Sequence, residues 1–169
     1  TVAVSQAATR DGTWQIVMTA TDAWGNTASA SVGTVVIDRT PPAMEAMHIA
    51  AIRTEAGDVI PTEQVTVTVQ AEPGSTVVLL ADERVVTSAV AQVGNTTLSS
   101  VLADGTHVLW VTATDLAGNV ASQSASVVVD TMVPQLVTSN IVPSSQIGIG
   151  TPVQIVVTAS ETLSSGILS

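Results

Sequence analysis

The residues of this chain best equipped for chemistry are oxygen donors in its loops. Asp11, Asp22 with Asn26, and Asp38 recur as Asp104, Asp115 with Asn119, and Asp130, while Glu72 and Glu161 add carboxylates at two further turns. Carboxylate and amide oxygens are the donor set of calcium, which takes six to eight of them and neutralises side chains that otherwise repel one another. The same residue types also close turns, because an Asp that opens a hairpin can accept hydrogen bonds from its own backbone. Both readings stand for Asp11 and Asp104, whereas Asp38 and Asp130, just ahead of a proline-containing stretch, read as linker ligands. Gly25 and Gly118 serve the turn itself by supplying a positive φ.

The spacing of these acids reveals the organisation that must position them. Asp11 and Asp104 are 93 positions apart, as are Asp22 and Asp115, but Asp38 and Asp130 are 92 apart. A unit of that length is one β-sandwich, so the chain is an array of similar modules. The odd residue falls between Asn26 and Asp38. In a strand it would exchange the two faces unless a bulge absorbed it, which predicts a bulge near Val32-Gly33-Thr34. The modules divide as 1–38, the last part of one repeat; 39–130, a whole repeat; and 131–169, the first part of another. That division is expected of a segment from a longer array.

Composition narrows the function classes. The formal charge is −10, with four arginines and no lysine, so nucleic acid is a poor partner. Without cysteine there is neither a disulfide framework nor thiol chemistry, and without lysine there is no Lys–Asn cross-link. No apolar run is long enough for a membrane helix, which argues against insertion. Abundant Thr and Val between Gly, Asn, Asp and Pro clusters predict an all-β chain.

Within residues 39–130, alternating runs predict about seven strands. Met44 to Ile52 and Val65 to Ala71 are the first two, separated by a polar loop from Arg53 to Thr62 in which Glu55 and Asp58 are a solvated pair. Glu72-Pro73-Gly74-Ser75 suits a type II bend. The clearest strand, His107 to Thr114, sorts by parity: His107, Leu109, Val111 and Ala113 form the expected core face, and Val108, Trp110, Thr112 and Thr114 the other. The first copy sorts the same way, with Trp14, Ile16, Met18 and Ala20 inward. A long penultimate strand followed by a terminal hairpin outlines tandem immunoglobulin-like β-sandwiches. Head-to-tail stacking of such modules brings Asp11 and Asp38 toward Glu72, Asp115 and Asn119, and in the next junction Asp104 and Asp130 toward Ser160 or Glu161.

The repeated pattern, Asp-Gly-Thr, then Thr-Ala-Thr-Asp-x-x-Gly-Asn, then an aliphatic-Asp pair and a Pro, resembles the bacterial Ig-like repeats of giant type I-secreted, RTX-type surface adhesins. The resemblance implies a stalk outside the bacterial cell, secreted or held at its surface, stiffened by calcium at the junctions. Its partners would be the neighbouring repeats of the same chain, with distal domains meeting a host or biofilm ligand. Trp24 departs from the pattern, which has Ala at this place, as at Ala117.

Two other readings compete with a spacer. Trp24 on a hairpin tip and Trp110 on the Thr-bearing face could bind a glycan or a protein, and the partial repeats at either end could complement each other between chains as a fibre. An accessory module of a secreted glycosidase would look similar. Catalysis by this segment has little to build on: His48 and His107 are the only imidazoles, neither stands beside a nucleophile in sequence, and His107 replaces Trp14 of the first copy, which argues for packing.

Overall fold

The computed structural model describes residues 9–54, 57–142, 146, 148–150 and 152–161. They form thirteen strands and no helix, in two compact units, Thr1–Asp130 and Thr131–Ser169.

The first unit opens with a hairpin of β1 (Gly12–Thr21) and β2 (Thr27–Ile37). There follow β3 (His48–Ile49), β4 (Ile52–Thr54), β5 (Gly57–Ile60), β6 (Gln64–Gln70), β7 (Thr76–Ala81), β8 (Arg84–Val90), β9 (Asn95–Val101), β10 (Gly105–Thr114) and β11 (Val120–Val129). These nine make two sheets, one ordered β4-β5-β11-β10-β7-β8 and the other β3-β6-β9. Neighbours pair antiparallel except β5 and β11, which run parallel through Val59–Val128 and Ile60–Val129. This is an immunoglobulin-like β-sandwich, all-β as composition predicts.

Its core follows from alternation. Val65, Val67 and Val69 of β6 meet Val77 and Leu79 of β7, Leu109 and Val111 of β10, and Val127 and Val129 of β11, all fully buried. Burying each such side chain is worth about 1.5–3 kcal/mol, so this face holds the two sheets together. The parity reading of β10 is thereby met.

In the first copy it is not. The faces of β1 alternate as expected, but no second sheet covers them among the described residues, so Ile16 and Met18 are 43% and 58% exposed and Trp14 is only half-buried. The expected bulge is present: Ile16 pairs with Gly33 and Val17 with Ser31, leaving Val32 as the extra residue, while β10 and β11 pair without interruption.

The polar loop expected from Arg53 to Thr62 is instead largely a hairpin, β4 with β5. Its polar residues are an edge signature: Arg53 meets Asp58 through an exposed ion pair of 3.2 Å, Gly57 takes φ 129°, and β5 fastens to β11 by its apolar end. Glu55 lies outside the described residues.

The second unit contains the hairpin β12 (Leu136–Val142) with β13 (Gln154–Ala159). It is closed by Ser160, whose N–H donates to the Gln135 carbonyl at 2.8 Å and whose Oγ accepts from the Gln135 N–H at 3.0 Å. No helix of the described residues is long and apolar enough to cross a membrane.

Candidate junction site

Two equivalent hairpin turns carry the repeated acids. Asp22 Oδ1 accepts from the N–H of Trp24 and of Asn26, both at 2.9 Å, and its Oδ2 accepts from Asn26 Nδ2 at 2.8 Å. Asp115 does the same with Ala117, Asn119 and the Asn119 amide, at 2.8, 2.9 and 2.9 Å. Hydrogen bonds to the charged form favour it, and in both turns the Asn side chain is the largest cause holding the Asp below the usual carboxylate range. Gly25 and Gly118 sit at φ 89° and 90°, the left-handed region the turn needs. The Asp-x-x-Gly-Asn motif is therefore first a turn in both copies.

What separates the two turns is location. The Asp22 turn caps the end of the first hairpin remote from Asp38, since Thr21 pairs with Thr27 at one end and Gly12 with Ile37 at the other. The Asp115 turn instead meets the exit of the first repeat. Asn119 Nδ2 donates to the Asp38 backbone carbonyl at 3.2 Å, joining residues 81 positions apart. Around that contact Val36, Asp38, Glu72, Gly74, Ser75 and Asp115 line one cleft. The Glu72 bend is the expected one, with Ser75 N–H donating to the Glu72 carbonyl at 3.1 Å and Gly74 at φ 92°.

The remaining acids have other settings. Asp38 Oδ1 accepts from the Thr40 N–H at 3.0 Å, a local bond that shapes the approach to Pro41-Pro42. Asp11 pairs with Arg39 Nε at 2.7 Å and is held below its ordinary pKa chiefly by that bond; it does not line the cleft. Arg39 Nη2 also donates to the Thr9 carbonyl at 3.2 Å. Asp104 lies between β9 and β10, Asp130 follows β11 and donates its N–H to the Ile60 carbonyl at 3.1 Å, and Glu161 follows β13 in the second unit.

Calcium chemistry can be tested against the cleft. Its donors are hard oxygens of the right kind, and Ser75 beside them is 2% exposed with a buried Oγ that lacks a hydrogen-bond partner. Yet no group of three acidic or imidazole side chains among the described residues stands close enough to hold a metal as it is. The donors are of the kind calcium takes, but as placed they do not make a metal site.

Two residues that sequence reading passed over organise the opposite pole. Asp82 and Glu83 form the two-residue β7–β8 turn at φ 50° and 66°, without glycine. Asp82 is held there by β10: its N–H donates to the Val108 carbonyl at 3.0 Å, and its Oδ1 accepts from the Val108 N–H at 2.9 Å. Its Oδ2 faces His107 Nδ1 at 2.7 Å, while His107 Nε2 faces the Ala103 carbonyl at 2.9 Å. With an acceptor at each ring nitrogen, both must donate, so the imidazole is favoured as its cation. The Asp82 bond first and the Ala103 bond second push its pKa up. Trp14 donates Nε1 to the Arg10 carbonyl at 3.1 Å, the same offset of four residues. What recurs at this position is a ring N–H tying the strand to the loop before it. Trp110 and Trp24 are both exposed, the latter almost completely.

Residues 54–131 match the family model of the bacterial Ig-like domain. Over those residues the central module is thus similar to a bacterial Ig-like domain. A comparison with curated proteins finds no match.

Proposed function

We propose that this chain is a spacer segment of a large bacterial surface adhesin, secreted or held at the cell surface. Its successive Ig-like repeats set reach and stiffness for a distal binding domain that meets a host or biofilm ligand. The observation carrying this reading is the contact between the exit of one repeat and the entry turns of the next, with Asn119 on the Asp38 carbonyl and Asp38, Glu72 and Asp115 around one cleft. The working parts are joints, and the partner of each repeat is its neighbour in the chain.

Calcium is the proposed stiffener. Asp38, Glu72 and Asp115 would hold it, with Asn119, whose Nδ2 bonds both Asp38 and Asp115, adjoining them. Bound there, the cation would neutralise carboxylates whose mutual repulsion favours an open joint. A net charge of −10 makes such neutralisation worth more to this chain than to a balanced one. The acids Asp104 and Asp130 at the far end of the repeat would serve its next joint in the same way, and Asp22 and Asn26 the joint of the preceding one.

Calcium titration followed by small-angle scattering and thermal unfolding tests this. Millimolar calcium should raise the melting temperature and lengthen the particle, and Glu72→Gln should blunt both effects. An unchanged length and melting temperature on chelation would remove calcium from the reading. An unchanged length in the Asn119→Ala variant would remove the joint itself.

A further inference from the structure

The two copies of the hairpin turn share a backbone and differ at their tips. Trp24 and Ala117 hold one place, since each donates its N–H to Oδ1 of the Asp two residues earlier, at 2.9 and 2.8 Å. Ala23 and Leu116 hold the other. Each tip therefore carries one large apolar side chain and one alanine, in opposite order. Little of either large side chain is covered by its own hairpin: Trp24 is 89% exposed and Leu116 97%.

What such a tip faces is visible at the Asp115 turn. Leu116 and Ala117 line the cleft in which Val36 and Asp38 close the preceding repeat and Glu72 to Ser75 bend at the entry of this one. Asn119 fixes the approach through its bond to the Asp38 carbonyl. The cleft has a volume of about 380 Å³, the size of a small-ligand pocket, so the joint has room for a larger tip than Ala117 supplies. Val36, on its lining, is apolar and exposed.

We infer that Trp24 is the wedge of a joint: its indole docks on the exit of the Ig-like repeat that precedes it in the array, against the residue standing two places before that repeat's last Asp, as Val36 stands to Asp38. This inference rests on the spacer reading and names a surface of its joints. The equivalence of the two turns identifies the occupant. Because their backbone bonds coincide, the Cβ of Trp24 leaves its turn as that of Ala117 does, toward the side on which an exit lies. A soluble ligand fits the place poorly. The ring tops the convex end of a hairpin between Ala23 and Gly25, and Asp22 gives both carboxylate oxygens to its own turn, whereas small-molecule sites are concave and keep polar groups to spare. A strand end with an aliphatic side chain asks for contact area alone, and a Trp buries roughly 150–250 Å². The joint ahead of Trp24 is therefore stiffer than the one at Ala117.

Hydroxyl-radical footprinting, read residue by residue by mass spectrometry, tests it. A second copy of residues 1–93 placed ahead of Thr1 keeps the 93-residue register and gives Trp24 a repeat exit to meet; the added copy carries Trp24→Phe, so the probed ring is unique. Oxidation of Trp24 should slow at least threefold relative to the chain without the addition, with Trp110 unchanged. Val36→Asp in the added copy should restore the faster rate. The existing joint supplies a second variant that needs no addition: the ring introduced by Ala117→Trp should be oxidised at least threefold more slowly than Trp24 of the same chain. Equal oxidation of Trp24 with and without the added copy would overturn the inference and leave the ring to a ligand outside the array. So would a ring introduced by Ala117→Trp that is oxidised as fast as Trp24. The joint fails separately, by an unchanged length in Asn119→Ala; a length that does change, together with a Trp24 still oxidised fast beside the added copy, overturns the role of this ring alone.

Discussion

The hairpins β1–β2 and β10–β11 are built from one motif and live in opposite environments. Leu109 and Val111 of the second are fully buried, while their counterparts Ile16 and Met18 are largely exposed. Turn and glycine geometry are the same in both, and so is the antiparallel pairing apart from the bulge at Val32. The difference shows that alternation fixes which face a strand offers, and only a second sheet turns that face into a core. In the sandwich that sheet is β3-β6-β9, whose Val65, Val67 and Val69 cover β10; across β1 the described residues supply no equivalent.

The sharpest way to break the comparison is to shorten the same face in each copy. Leu109→Ala leaves a cavity in a packed core and should cost about 2–5 kcal/mol. Ile16→Ala removes a side chain that touches little, and surface changes of this kind stay within about 0.5 kcal/mol. Urea unfolding of the two variants measures both; similar losses would mean that the first hairpin is covered by something equivalent to a second sheet.

That contrast also marks what sequence could disclose. Parity along His107 to Thr114 was enough to find the buried face, because hydrophobicity alternates there without a break. The same parity along β1 named Trp14, Ile16 and Met18 as core, since a residue's face is local information and its cover is not. The β4–β5 hairpin reads as polar loop because an edge strand half open to water keeps polar residues, and its tie to β11 is parallel and distant in sequence. Of the acids, sequence could group Asp38, Glu72 and Asp115 by pole. It could not see that Arg39 would take Asp11, or that Asp82, a residue with no counterpart in the repeated motif, would reach His107.

A second, smaller test exploits a position of the motif where the copies differ in chemistry, Trp14 against His107. His107 stabilises through two donated bonds, so its folded pKa stands above the unfolded value of 6.5. The contribution is present in full below that value and fades as pH rises through the raised folded pKa. Asp82 is shifted down by the Val108 N–H first and His107 second, so its share fades only as pH falls below 3.8 toward its lowered value. The melting temperature of the sandwich should therefore decline from mildly acidic pH into the alkaline range. His107→Trp keeps a ring N–H for the Ala103 carbonyl, as in the first copy, and should flatten that decline. A slope unchanged by the substitution would place the titrating group elsewhere.

The smallest expected effect concerns the bulge, the only difference in strand pairing between the two hairpins. Val32 has no partner on β1, yet Ile16 still meets Gly33 and Val17 still meets Ser31, so the residues on both sides of it keep their faces. Deleting Val32 would give the first hairpin the uninterrupted ladder of β10 with β11 while preserving every existing pair. Because Val32 is itself exposed and contributes no core packing, the deletion should leave the unfolding midpoint of the sandwich unchanged. Amide exchange should slow at Val17 and Ser31, where the ladder closes. If exchange instead quickened from Gly33 to Ile37, the bulge would be setting the course of the chain into Asp38, and the extra residue of the first copy would belong to the joint rather than to the hairpin.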